Sequence, residues 1–413
     1  MPHMGKNLPK RYHIKTYGCQ ANHADSSTIG GVLEALDFEQ VPTPDAQNDD
    51  EALYKVLSEA DLFIVNTCSV RQKSEDKVYG IGKTLKRIVQ ERGKKPFVVM
   101  AGCMVGSVTG SRQRYEFEEL KKRTPWVDAY INPSQIMTVP DILHKNGVLS
   151  EWALQKFDPS MVESRQDNPT HAFVNISYGC DNFCTFCVVP YARGEEVSRT
   201  EEDILNEINH LVLRGFKVFT LCGQNVNSWG LSPSEKLEIR TGSDQNIPFA
   251  GLLRKVHGIE GVEKINFISS NPFDFTNDLI EVLKLPKISN YLHIAVQSGN
   301  NDILKKMNRR HTVEEFIELI NKIKGVKPEV EIGTDIIVGF PGETEKQFED
   351  TVKLFGMVSF NVAFISIYSP RKGTPAERFY PDDVPLPKKK RRHAELTRVW
   401  KESLAKSLYK HDL

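Results

Sequence analysis

The feature that most limits how this chain can fold is an alternation, sustained from Tyr12 onward, of short runs rich in β-branched and aromatic residues with longer stretches of helical periodicity. Such alternation marks parallel α/β units, in which each strand reaches the next through a crossover helix. In the first third, strands are predicted at 12–16, 62–66 and 97–101, with helices at 26–36 and 74–90, which reads as a small open sheet. A polar stretch at 163–170 breaks the pattern. A second series then predicts strands at 173–177, 217–221, 264–269, 291–295, 331–338 and 362–368. Six such units suit a partial barrel.

The resulting division is a disordered N-terminus (1–10), an α/β domain (11–145), a linker (146–170), a partial barrel (171–385) and a basic helical segment (386–413). Helix signals support it. Thr200 is placed to cap a helix carrying Ile204, Leu205, Ile208, Leu211 and Val212 on one face and ending at Gly215. Thr312 and Glu315 are spaced as a capping box ahead of Val313, Phe316, Ile317, Ile320 and Ile323. Residues 231–246 read as a polar surface loop.

At 413 residues, 39% hydrophobic and 26% charged, the chain has the balance of a globular protein rather than a disordered or fibrous one. The longest nearly apolar run, 97–106, is about half of the ~18 to 20 residues a membrane-spanning helix needs, so a cytoplasmic protein without membrane contact is expected. Lys plus Arg equals Asp plus Glu at 54 each, which excludes a global positive field for nucleic acid. Any RNA contact must come from local patches. Candidates for phosphate contact are Lys388, Lys389, Lys390, Arg391 and Arg392, with a second group at Lys305, Lys306, Arg309 and Arg310; taken alone, each reads as a solvated helix face.

In a reducing compartment seven cysteines are poor disulfide candidates, and their positions carry the argument. Six fall directly after predicted strands, where the loops of parallel α/β folds converge on ligands. Cys19, Cys68 and Cys103 follow the three strands of the first sheet. Cys180, Cys184 and Cys187 follow the first barrel strand as Cys-x3-Cys-x2-Cys. Cys184 and Cys187 alone would suit half a zinc site or a redox pair; a third thiolate at this spacing points to a four-iron four-sulfur cube with one iron left open. Such an iron can chelate the amino and carboxylate groups of S-adenosylmethionine (SAM). Cys222 has no partner at useful spacing and reads as structural. Gly82, Lys83 and Thr84 imitate the end of a phosphate-binding loop, but the glycine needed five positions earlier is Lys77.

With these residues in place, the chain resembles the radical SAM superfamily, specifically the MiaB-type methylthiotransferases. The likeness runs through Lys15-Thr16-Tyr17-Gly18-Cys19-Gln20-Ala21-Asn22, Asn66-Thr67-Cys68-Ser69-Val70-Arg71, Ala101-Gly102-Cys103-Met104 and Ser369-Pro370-Arg371-Lys372-Gly373-Thr374. The run from Cys187 through Pro190, Tyr191, Arg193 and Gly194 to Arg199 resembles the tRNA-modifying branch more than the ribosomal-protein branch. So do Leu221-Cys222-Gly223-Gln224-Asn225 and the run from Thr334 to Thr344.

The resemblance implies an N-terminal small open parallel α/β domain followed by a radical SAM partial (βα)6 TIM-like barrel. It implies two 4Fe-4S clusters, the radical one on Cys180, Cys184 and Cys187 and an auxiliary one on Cys19, Cys68 and Cys103, and two SAM molecules per turnover. The implied reaction adds a methylthio group to C2 of N6-isopentenyladenosine at position 37, beside the anticodon of tRNA. The same chemistry on a ribosomal-protein aspartate or a threonylcarbamoyl adenosine is the nearest alternative, and a non-catalytic metal-binding RNA module the more distant one. Strand-end placement together with the resemblance assigns SAM contacts to Phe186, Gly223, Gln224, Ser269, Ser270 and Gln297. Arg193 and Arg199 are expected at the SAM carboxylate or a substrate phosphate. The expected partners are the tRNA anticodon stem-loop, an external electron donor and a sulfur source, with the protein a monomer. Family members usually continue into a TRAM domain, which this sequence does not include.

Overall fold

The computed structural model describes residues 10–44, 48–70, 72–159, 162–166, 168–240 and 245–411. Residues 1–9 of the segment expected to be disordered, and Arg71 of the second motif, lie outside the described residues. The chain divides into two compact units: Met1–Asp167 with Val188–Gly194, and Asn168–Cys187 with Glu195–Leu413. The seven-residue segment after the third barrel cysteine is therefore counted with the N-terminal unit, which the linear division at 146–170 did not anticipate.

The first unit is built on one parallel sheet of β1 (Arg11–Tyr17), β2 (Glu39–Gln40), β3 (Leu62–Thr67), β4 (Phe97–Gly102) and β5 (Ala129–Ile131), in the order β2-β1-β3-β4-β5. Both faces are covered, as a parallel sheet requires, and every residue of the central β3 is buried. One face packs Tyr12, Leu62, Ile64 and Val99 against Ile29, Val32 and Leu33 of the helix Gln20–Ala35. The other packs Phe63, Val65, Val98 and Met100 against the helices Asp49–Glu59 and Gln72–Arg92. The edge strands β2 and β5, of two and three residues, are too short to leave a periodic signal in sequence. The stretch read as a linker carries the helix Glu151–Lys156, capped by Ser150.

The second unit contains β6 (His171–Asn175), β7 (Ser177–Tyr178), β8 (Val197–Ser198), β9 (Val218–Cys222), β10 (Lys264–Phe267), β11 (Tyr291–His293), β12 (Glu331–Val338) and β13 (Val362–Ile367). Parallel pairing joins β6-β9-β10 and β11-β12-β13, and a parallel bridge between Ser270 and Ile294 links the two sets. Six parallel strands thus stand side by side in chain order, the layout of a (βα)6 partial barrel. The expected capping box forms: Thr312 Oγ1 accepts from the Glu315 amide at 3.2 Å, and Glu315 accepts from the Thr312 amide at 2.7 Å.

Three expectations need correcting here. Residues 231–246 are not all loop, because Pro233–Arg240 is helical; 241–244 lie outside the described residues. The basic C-terminal segment is helical as expected but not separate from the barrel: the helix Leu386–His411 places Leu396 in the barrel core, and Trp400 Nε1 donates to the Phe360 carbonyl at 2.9 Å. The stretch 173–177 is split, since β6 ends at Asn175 and Ser177 begins an antiparallel pair with Ser198. That pair closes the base of the segment bearing the three barrel cysteines. No described helix is long and apolar enough to cross a membrane.

Candidate iron–sulfur and SAM sites

In the first unit, Tyr17, Thr67 and Gly102 are register partners across β1, β3 and β4. Cys68 and Cys103 come one residue past that rung and Cys19 two, so the ladder itself delivers three thiols to one end of the sheet. Two asparagine side chains fix the turn: Asn22 Nδ2 donates to Asn66 Oδ1 at 3.0 Å, and Asn66 Nδ2 donates to the Asn22 backbone carbonyl at 2.8 Å. Gly102 has a φ of 90°, and a Cβ there would stand 2.3 Å from Asn66 Oδ1 and 2.5 Å from the Thr67 carbonyl oxygen. Only glycine fits where β4 turns into the helix Cys103–Thr109.

Cys68 and Cys103 are buried and Cys19 is exposed. Burial pushes the Cys103 thiol up; the Arg193 guanidinium, which also hydrogen-bonds it, pulls the other way, and Cys19 adds to the rise. Arg193 follows the short helix Val189–Ala192 and pairs with Asp25 at 2.7 Å, both side chains buried. The approach depends on Gly106, where a Cβ would come 1.9 Å from the Ala192 carbonyl oxygen. Arg193 is thus committed to Asp25 and the thiol group of this unit, in place of the SAM carboxylate or phosphate expected from sequence.

In the second unit, Cys180 and Cys184 are buried and Cys187 is half-buried. Burial, then the charge of Cys187, pushes the Cys180 thiol well above its ordinary value, and Cys184 adds to it. Buried thiols that repel one another as anions hold their protons; a cationic group that replaces those protons removes the penalty. Among the described residues no three His, Cys, Asp or Glu side chains close on a single metal ion. A cube does not need them to, because each of its thiolates binds a different iron. Both cysteine trios fit such a group by donor chemistry and by placement.

The residues expected to bind SAM lie on the same strand ends. Gly223 is buried, and a Cβ there would stand 2.4 Å from Ser177 Oγ. The Oγ atoms of Ser177 and Ser270 are buried without a hydrogen-bond partner, which suits a polar ligand. Ser269 and Gln297 hold φ values of 68° and 77°, strained for residues with a Cβ and typical of ligand-binding turns. Gln224 is half-buried, and Phe186 packs beside Ile303, Met307 and Phe340. On β11 and β12, Tyr291 Oη lies 2.9 Å from His293 Nδ1 and His293 Nε2 lies 2.7 Å from Asp335 Oδ2.

Other expectations fail on burial and pairing. Arg199 is held by Glu207 at 2.6 Å and by the Asn175 carbonyl at 2.7 Å. Of the proposed phosphate contacts, Arg392 is wholly buried and paired with Glu343 at 2.8 Å, and Lys389 is buried against Asp382. Neither offers a charge to RNA; Lys388, Lys390 and Arg391 remain exposed. Arg309 is buried too, and its place is described below. Cys222 is buried at the end of β9, with its Sγ 3.4 Å from the Thr220 carbonyl. The decoy residues Lys77, Gly82, Lys83 and Thr84 lie within the helix Gln72–Arg92.

The fold and the strand-end cysteines define a radical SAM enzyme. The radical SAM superfamily pattern matches residues 174–355, and that of uncharacterized protein family UPF0004 matches residues 11–132. Among solved structures, the radical SAM methyltransferase TsrM from Kitasatospora setae is similar with a TM-score of 0.61 at 13% identity, over 89% of this chain and 75% of that one. The cobalamin-dependent radical enzyme OxsB gives a TM-score of 0.53 at 13% identity, over 97% and 56%. Such distant likeness speaks for the fold alone. In sequence, the chain is 41% identical over 408 residues to the tRNA-2-methylthio-N(6)-dimethylallyladenosine synthase of Clostridium botulinum strain Hall, covering 97% of this chain and 83% of the relative. It is 39% identical over 406 residues, 96% and 79%, to the synthase of that name from Caldicellulosiruptor saccharolyticus. The chain belongs to this family of radical SAM methylthiotransferases, and it is an iron–sulfur, SAM-dependent transferase.

Proposed function

We propose that the enzyme places a methylthio group on C2 of an N6-isopentenylated adenosine at position 37 of tRNA, using two SAM molecules and two four-iron clusters. The observation that carries this reading is the pair of cysteine trios, one at the strand ends of each unit, in a chain so similar to synthases named for that product. Bound at Cys180, Cys184 and Cys187, a cluster would supply the electron that cleaves SAM to an adenosyl radical. The chain's residues do the rest by position. Gly223 leaves room for the Ser177 hydroxyl, Ser177 and Ser270 offer hydroxyls to the cofactor's polar groups, and Phe186 offers an apolar face to its adenine. Cys19, Cys68 and Cys103 would hold the second cluster, the place where sulfur is held for transfer. A reductant and a sulfur source are required by the stoichiometry, and the tRNA anticodon stem-loop is the substrate.

The test is nucleoside mass spectrometry of tRNA from cells with and without the gene. A 2-methylthio-N6-isopentenyladenosine that depends on the protein is expected. Its persistence without the protein, or appearance of the modification on a threonylcarbamoyl adenosine or a ribosomal protein instead, overturns the substrate assignment.

A further inference from the structure

Arg309 sits in a run of four cations that reads from sequence as a surface patch, yet it is buried, with 9% of its surface exposed. Its Nη2 donates to the Ala295 carbonyl at 2.7 Å, and its Nη1 lies 3.4 Å from the sulfur of Cys184. Among the described residues no carboxylate pairs with it, and its Nε is buried with no partner. The guanidinium also lies over the Phe273 ring, 5.2 Å from the centroid. A buried cation with no counter-ion is costly to keep. Among the described residues, the group of anionic potential that its N–H meets is the thiol of Cys184.

The surrounding backbone holds Arg309 to that cysteine. The Thr185 amide donates to the Met307 carbonyl at 3.0 Å, and Thr185 Oγ1 donates to the Lys306 carbonyl at 2.9 Å. Asn308 Nδ2 donates to the carbonyls of Phe183 at 3.0 Å and Asn182 at 3.3 Å. Both Phe183 and Asn308 adopt left-handed φ, 48° and 55°, to make this junction. The segment 306–309 is therefore laced to the loop that carries Cys180, Cys184 and Cys187, and Arg309 cannot leave without unlacing it.

We infer that Arg309 is a positioning and charge-compensating residue for the cluster held by Cys180, Cys184 and Cys187, its N–H group bonding the Cys184 sulfur and raising the cluster's reduction potential. Hydrogen bonds to the cluster sulfurs and nearby positive charge both favour the more negative, reduced state. This inference rests on the reading that those three cysteines hold a cluster. Its effect is to make the electron easier to load before SAM is cleaved.

The experiment uses the full chain with Cys19, Cys68 and Cys103 changed to alanine, so that one cluster remains, and follows its midpoint potential by redox titration with electron paramagnetic resonance. Arg309→Gln is expected to shift the midpoint to a more negative value and slow SAM cleavage, with about four irons per chain retained. Arg309→Lys, which keeps the charge but lacks the planar fork that reaches both sulfur and carbonyl, is expected to shift it less. An unchanged midpoint in Arg309→Gln with iron retained overturns the inference. Should that variant lose its iron, Arg309→Lys carries the test, and a midpoint equal to the parent's overturns it. Absence of iron from the parent itself removes the cluster assignment, and this inference with it.

Discussion

The Arg193 guanidinium lies 2.7 Å from the Asp25 carboxylate, with side-chain exposures of 3% and 2%. These residues are 168 positions apart in sequence, and together they form a closed ion pair next to Cys103. Removing one partner strands a buried charge. Asp25→Ala is expected to destabilise the protein by about 3 to 5 kcal/mol, while the exchange of both residues for apolar ones costs less than either single change. Denaturant unfolding of the two single variants and the double variant measures the difference.

Replacing Cys19, Cys68 and Cys103 together with alanine separates the two proposed clusters. Iron is expected to fall from about eight to about four per chain. SAM cleavage survives and methylthio transfer disappears. Anaerobic iron analysis with product analysis reads all three; loss of SAM cleavage along with transfer would show a structural role for the trio instead.

Gly102→Ala tests the geometry behind that trio. Its φ of 90° and the 2.5 Å approach to the Thr67 carbonyl leave no room for a methyl group. The strained conformation alone costs on the order of 1 to 3 kcal/mol. The expected result is lower thermal stability together with reduced iron at the first-unit cysteines, seen as fewer than four irons when Cys180, Cys184 and Cys187 are absent.

His311 gives a pH dependence with a definite sign. Burial first, and the charge of Arg309 second, push its pKa down from 6.5 to about 3. Between those values the unfolded chain binds a proton that the folded chain refuses. Stability therefore rises with pH across this window and is lost as pH falls through it. Unfolding free energy measured at several pH values should show a shallower slope in His311→Phe, a change to another ring where the packing is against Phe273 and Phe316.

The C-terminal cations divide into two classes. Arg392→Ala is expected to cost about 3 to 5 kcal/mol, because it leaves Glu343 buried without its partner. Lys390→Ala should change stability by about 0.5 kcal/mol at most. If the exposed cations meet RNA phosphates, Lys390→Ala weakens tRNA binding at low salt and lowers its salt dependence. Equilibrium unfolding and filter binding at two salt concentrations distinguish the classes.

The strands of the barrel could be read closely because each is a concentrated apolar run bounded by turn residues; β12 spans Glu331–Val338, the range expected for it. The cysteines were legible for a related reason, since a residue directly after a parallel strand has few places to go. Arg193, Arg309, Lys389 and Arg392 were not. A basic side chain looks the same in sequence whether it faces water or a buried partner, and the partners of Arg193, Arg309 and Arg392 lie 168, 125 and 49 positions away along the chain. The short helix Pro233–Arg240 was missed because serine, lysine and glutamate dominate it, and its burial rests on Ile239 alone.

The return of Val188–Gly194 to the N-terminal unit means that no single cut separates this protein into its halves. A fragment ending at Asp167 would contain Asp25 but lack the arginine that pairs with it, and its core would close around an anion without that counter-charge. Evolution or engineering that trades one half for another must carry those seven residues along, or supply a substitute for the charge they bring.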